Sequence, residues 1–167
     1  MMGRLMEHFG KKGFSIAPLT PDDSAALEDV HMASFHQGWS EQDFRGLLSE
    51  PTVFGFLARP EGEPNKMAGF VLARLVVDEA EILTIAVATA SRKLGAGHGL
   101  MDAVLRHLHH ERAASLFLEV DKSNVAAQAL YNRLGFIKVG DRPSYYQHAD
   151  GTFASALILR RDLVAAT

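Results

Sequence analysis

The chain has no cysteine, which removes disulfides, thiolate metal ligands and cysteine nucleophiles from consideration and fits a reducing compartment, the cytoplasm. It also lacks any apolar run near the ~18 residues that a membrane-spanning helix needs, so no membrane association is expected. Met1 to Gly13 is mildly amphipathic but has no apolar core of the signal-peptide kind; residues 1–13 are expected to be a flexible segment ahead of the domain. Neither sign of charge dominates: the formal net charge is −3, and nothing in that balance suggests direct nucleic-acid binding. Internal repeats, low-complexity tracts and linkers are absent as well. Histidine is plentiful, with eight, but scattered. Only His107, His109 and His110 cluster, and no carboxylate shares their face at a matching spacing. They read as a solvated helix end whose imidazolium groups favour the dipole, and no metal site is expected.

What is present is 167 residues, 47% of them hydrophobic, enough for one domain with a sizeable core, placed at 14–163. Phe14 to Leu19 reads as a strand. Thr20-Pro21-Asp22-Asp23 has the hydroxyl cap, proline and acids of a helix start, and that helix runs to about Phe35. Gly38-Trp39 breaks it, and Ser40 opens a second helix that Pro51 ends. Thr52–Ala58 and Met67–Val77 are strands, with a tight turn expected at Asp78-Glu79 before an antiparallel partner to Ala88. Phe136–Gly140 is a strand that Arg142–Tyr146 continues or bulges, and Phe153–Leu159 returns after an Ala149-Asp150-Gly151 turn. The expectation is a single α/β domain with a mixed, mostly antiparallel sheet and helices on both faces.

The informative stretch is Ile85 to Phe136: strand, glycine-rich turn, helix, strand, capped helix. Arg92-Lys93-Leu94-Gly95-Ala96-Gly97 is not a Walker loop, because His98-Gly99 follows where Lys-Ser/Thr is required, and it lacks the third glycine of a dinucleotide fingerprint. It is either a pyrophosphate loop with bare amides at a helix N-terminus or a plain strand-to-helix turn. Asn124 and Tyr131 lie within ~20° of each other on one helix, about 10.5 Å apart along its axis, with Ala127 between them. They either end a polar trough or merely cap and pack. Glu119, near the end of an apolar strand, shares a face with Phe117 while Leu116, Leu118 and Val120 face away. A carboxylate there calls for a partner or a task.

Taken together, Arg-x-x-Gly-x-Gly after Ile85-Ala86-Val87, then Leu-Glu-Val120, then Ser-Asn-x-x-Ala-x-x-Leu-Tyr-x-x-Leu-Gly-Phe136, resemble the GNAT superfamily of acetyl-CoA-dependent N-acetyltransferases. Within it they are most similar to the RimI group, bacterial enzymes that acetylate the N-terminal alanine of ribosomal proteins. The resemblance covers about residues 39–160, including Trp39-Ser40, Asp78-Glu79-Ala80 and Tyr145-Tyr146. It implies the GNAT fold, with a V-shaped splay between the central strands and acetyl-CoA as cosubstrate. Ile85, Ala86 and Val87 would offer main-chain hydrogen bonds to the acetyl and pantetheine groups. Arg92, Lys93, Leu94, Gly95, Ala96 and Gly97 would hold the pyrophosphate, and Asn124 the pantetheine arm. Glu119 would accept the proton and Tyr131 donate one, while Trp39, Tyr145 and Tyr146 would border the acceptor. The implied partner is a protein N-terminus, a ribosomal protein foremost, and the implied state a monomer or weak dimer. Leu94 stands where a basic residue is commoner, Ala88-Thr89-Ala90 replaces an Asp-Pro turn, and Gly38 replaces a proline.

The chemistry agrees with these roles. An α-amino group, with pKa ~7.7–8, is roughly a tenth neutral at pH 7, whereas a lysine at ~10.4 is ~0.04% neutral. One carboxylate acting through water therefore suffices for an N-terminal acceptor, and a main-chain N–H can polarise the thioester carbonyl. No acyl-enzyme is needed, in keeping with the missing cysteine. The alternatives are a GNAT enzyme acting on a small amine or a lysine side chain, and a non-catalytic acyl-CoA-binding module.

Overall fold

The structure, a computed structural model, describes residues 13–35, 38–92 and 94–163, with the backbone alone for 144–146. All but Gly13 of the expected flexible segment lies outside the described residues, as does Lys93. The elements run β1 (Phe14–Pro18), α1 (Ser24–Ser34), α2 (Glu41–Leu48), β2 (Val53–Pro60), β3 (Gly69–Val76), β4 (Glu79–Val87), α3 (Ala96–His110), β5 (Ser115–Asp121), α4 (Val125–Arg133), β6 (Ile137–Gln147) and β7 (Phe153–Asp162). The strands form one sheet in the order β1-β2-β3-β4-β5-β7-β6, antiparallel throughout except for β4 beside β5.

Local signals start the helices where expected. Ser40 and Asp43 bond reciprocally, Ser40 N–H to Asp43 Oδ2 at 2.9 Å and Asp43 N–H to Ser40 Oγ at 3.1 Å, which satisfies two otherwise orphaned donors. Ahead of α1, Pro21–Asp23 forms a 3-10 turn. Strand alternation on β3 then feeds two cores. Val71 joins Leu100, Met101, Val104 and Leu108 of α3 with Leu116, Leu118 and Val120 of β5. Phe70 and Leu72 join Leu27 of α1 and Phe44 of α2. Helices α3 and α4 therefore cover one face, and α1 and α2 cover the β2–β4 half of the other.

Two irregularities shape the centre of the sheet. On β4 the register jumps from Leu72↔Thr84 to Ala73↔Ile82, leaving Leu83 without a partner. Such a bulge reverses side-chain parity, so Ile82 and Ile85 both pack toward α3 while Leu83 and Ala86 face α1 and α2. Beside it, β4 and β5 pair only over Glu79–Glu81 and Ser115–Phe117, although the strands run on to Val87 and Asp121. Past those three pairs they part, which is the expected splay.

Two local expectations need correction. The β3–β4 turn is centred on Val77-Asp78, one residue earlier than Asp78-Glu79, because Val76 pairs with Glu79. His107 is not a solvated imidazolium: its ring lies 4.2 Å from that of Phe54, and burial lowers its pKa. The turn carries a penalty of its own, since Val77 has φ 58, a left-handed conformation costing a β-branched residue about 1–2 kcal/mol. Its side chain is 92% exposed and so contributes no packing in return. Replacing Val77 by Asn, which tolerates this conformation, should raise unfolding stability by about 1 kcal/mol, measured by urea or thermal unfolding.

Candidate active site

The opening between β4 and β5 is lined on the β4 side by main-chain groups that no strand of the sheet pairs with. Ala88 N–H bonds to Ala68 O at 2.7 Å, and Ala86 O faces β3, so close to Gly69 that a Cβ there would lie 2.7 Å from it. Alternation in an antiparallel ladder then turns the N–H and C=O of Ile85 and Val87 away from β3, into the opening. Of the three expected main-chain donors and acceptors, Ile85 and Val87 address the opening and Ala86 addresses the ladder. Val87 O already accepts from Arg92 Nε at 3.0 Å, which folds the exposed Arg92 back over the end of the strand.

After a 3-10 turn at Thr89–Ser91 the chain reaches Gly95, the N-cap of α3, at φ 99. Glycine is required there because an L side chain is strained at such an angle. Among the described residues the first bond of this end runs from Gly99 N–H to Gly95 O at 3.0 Å, and the N–H groups at the start of a 15-residue helix sit at its positive end, as an anion site would require. Gly97 lies where three elements converge: a Cβ on it would sit 3.4 Å from Leu130 of α4 and 3.9 Å from Val87 of β4. Leu94 packs against the core, so it offers main chain only.

Helix α4 brings Asn124 and Tyr131 to the α3 side. Asn124 is the N-cap, its Oδ1 accepting from Ala127 N–H at 3.1 Å. The Tyr131 ring is 4% exposed and meets Phe136 edge-on at 5.7 Å, in the cluster that holds Leu118 and Val120. Glu119 leaves β5 on the opposite face. Carboxylate and phenol therefore approach from the two sides of the sheet, and one bound molecule can meet both only by threading the gap.

Around Glu119 the structure adds residues that the sequence did not single out. Glu119 Oε1 accepts from Arg142 Nη2 at 2.9 Å. Asp121, next along the same face, accepts from Ser123 N–H and Oγ, each at 2.8 Å, and lies 2.7 Å from His148 Nε2. Burial alone would raise the Asp121 pKa, but these Ser123 and His148 contacts outweigh it and hold the carboxyl below its usual range. Tyr145 and Tyr146 lie on β6 just past Arg142; their side chains are outside the described residues. Trp39 is half-buried, its ring stacked on His31 at 5.1 Å and its main-chain N–H donated to His31 Nδ1 at 3.1 Å.

The Acetyltransferase (GNAT) family matches over residues 24–136. The chain belongs to the GNAT acetyltransferase family. It is 34% identical to the ribosomal protein bS18-alanine N-acetyltransferase of Escherichia coli (strain K12) over 137 residues, 82% of this chain and 90% of that protein. The crystal structure of the Escherichia coli ribosomal-protein-S18-alanine N-acetyltransferase superposes with a TM-score of 0.83 at 30% identity, covering 92% of this chain and 96% of that one. The same fold recurs in Arabidopsis thaliana NAA60 with a bisubstrate analogue, at a TM-score of 0.78 and 22% identity over 89% of this chain and 97% of that one.

In this GNAT N-acetyltransferase His31 has a definite protonation state. It is 3% exposed among Phe35, Trp39, Phe44 and Phe70, and burial lowers its pKa from 6.5 to about 4. Between those values the unfolded chain binds a proton that the folded chain refuses, so stability falls as pH drops from 6.5 toward 4 and is unaffected above 6.5. The loss is at most about 3 kcal/mol. Replacing His31 by Gln should flatten that part of the pH–stability curve, read as thermal midpoints from pH 7.5 to 4.5.

Proposed function

We propose that this N-acetyltransferase moves acetyl directly from acetyl-CoA to the N-terminal α-amino group of a protein, a ribosomal protein as in the relatives named above. The observation that carries this reading is the gap beyond the three β4–β5 pairs, flanked by Glu119 on one face and Tyr131 on the other. The residues present fit acetyl-CoA. Ile85 and the N–H of Val87 offer main chain turned away from β3 for an amide-bearing arm, and Asn124 stands at the neighbouring helix start. The first N–H groups of α3, with Arg92 beside them, suit a pyrophosphate, and Lys93 is placed with them by sequence.

When bound, acetyl-CoA supplies the acetyl group as an activated thioester. The chain's own groups do the rest. Main-chain N–H in the gap orients the carbonyl and stabilises charge developing on its oxygen. Glu119, through water, takes a proton from the attacking amine. Tyr131, sheltered from solvent, supplies a proton to the departing sulfur. Trp39, Tyr145 and Tyr146 border the acceptor. The face carrying Glu119 is overlain by α1 and α2 on its β2–β4 half, and beyond that the β5–β7–β6 half offers an extended peptide a place to lie.

Release of CoA should be seen with Ala-starting ribosomal peptides and be at least tenfold slower with polyamines or lysine peptides. The reverse ranking would move the acceptor to another amine, and saturable CoA binding without release by any amine would leave only a binding module. Glu119→Gln should lower kcat roughly 100-fold near pH 6.5 and less near pH 9, where the free amine is abundant. Tyr131→Phe should slow turnover at least tenfold with little change in acetyl-CoA affinity; a large affinity loss at unchanged turnover would make it a packing residue.

A further inference from the structure

Arg142 reaches Glu119 because of a one-residue irregularity. On β6 the register runs Lys138↔Leu159 and then Gly140↔Ile158, skipping Val139. Without that extra residue Arg142 would point to the other face, since a slip of one reverses every side chain. With it, Arg142 pairs with Ala156, which in turn pairs with Asp121. The guanidinium extends past the small Ala156 methyl to Glu119 Oε1, 2.9 Å away.

Among the described residues, the charged groups nearest this face have partners of their own. Asp121 is held by His148 and Ser123. Arg160 lies over the Phe117 ring at 5.4 Å and bonds to Asp162 at 2.8 Å. Lys138 pairs with Asp141 at 3.1 Å. On β4, Glu81 is paired with Arg74 at 3.6 Å, while Thr84 and Ala86 across the gap carry no charge; α1 contributes the neutral His31, and α4 contributes Tyr131. The charge beside Glu119 is therefore set by Arg142.

We propose that Arg142 is a specificity-determining residue that keeps the acceptor amine neutral. This rests on the reading of Glu119 as proton acceptor. A lone carboxylate at the acceptor site favours an ammonium ion, raising the pKa of a bound amine and holding it in the form that cannot attack. Paired with a guanidinium, the carboxylate still accepts a proton through water, but the site carries little net charge and gives a cation no advantage. Amines that shed their proton readily, such as a protein N-terminus, are thereby preferred over lysine side chains and other strongly basic amines.

The test is Arg142→Gln against Arg142→Lys, with Glu119→Gln/Arg142→Gln as control, measured from pH 7 to 9.5, above the imidazole range. For Arg142→Gln the pH at which kcat reaches half its maximum should move up by ~1 unit, as expected for a unit charge removed at ~5 Å in a half-exposed site. An N-terminally blocked lysine peptide should inhibit about tenfold more tightly at pH 7. Arg142→Lys should restore most of both, and the double variant should show neither. A uniform loss of rate at every pH, or an unchanged lysine-peptide inhibition, overturns the proposal while leaving the function intact. If the wild-type enzyme acetylates no N-terminal peptide, the underlying reading fails and this proposal falls with it.

Discussion

The pairing of β4 with β5 is the constraint on which the rest of the molecule depends. A sheet normally gains by zipping neighbouring strands along their whole length, because unpaired main-chain groups removed from water are costly. Here the only parallel pair among the described residues holds for three residues on each strand and then separates. Two features enforce the separation. The Leu83 bulge bends β4 at its middle, and Leu130 and Val87 meet at Gly97, so that α3 and α4 converge on the mouth of the gap. The unpaired main chain left there is the polar surface an amide-bearing arm can complete, in the manner of a strand added to a sheet.

The parting also shows how, in the proposed mechanism, residues from opposite sides of the sheet would serve one reaction. Tyr131 belongs to the core under α3, Glu119 to the face shared with α1 and α2. A closed sheet would isolate them. On the proposed roles, the opening would turn a barrier into a shared compartment, with leaving-group chemistry on the buried side and acceptor chemistry on the accessible one. The buried side supplies the dry surroundings in which a directed proton is most effective, and the other supplies the access a protein chain needs.

The strand and helix sequence was legible because its signals are local: β-branched runs, the Ser40–Asp43 capping pattern, the glycines around residue 95. The placing of Glu119 on the face opposite Leu118 and Val120, and of Asn124 at a helix start, was legible too, since strand alternation and capping residues translate directly into position. What was hidden depended on parity or on distant partners. Nothing local marks Leu83 or Val139 as extra residues, yet each decides which side its neighbours occupy, and without the second Arg142 could not be matched to Glu119. His31 fell inside a helix expected to run to about Phe35, with nothing to mark it; its partner is the main-chain N–H of Trp39, in a loop whose path no pattern describes. Ala86 seemed equivalent to Ile85 and Val87 until the ladder assigned its hydrogen bonds to β3.

The same irregular β6 has a further consequence. It is the terminal strand of the sheet and, at eleven residues, the longest, which would ordinarily make it a template for recruiting another chain edge to edge. Register breaks after Lys138 and after Arg142, a proline at 143 and alternating Lys138, Asp141 and Arg142 deny an incoming strand any uninterrupted run of hydrogen-bonding partners. At the far border β1 is only five residues long and closes on Pro18. The kink that aims a guanidinium at the carboxylate thus also protects the protein from aggregation.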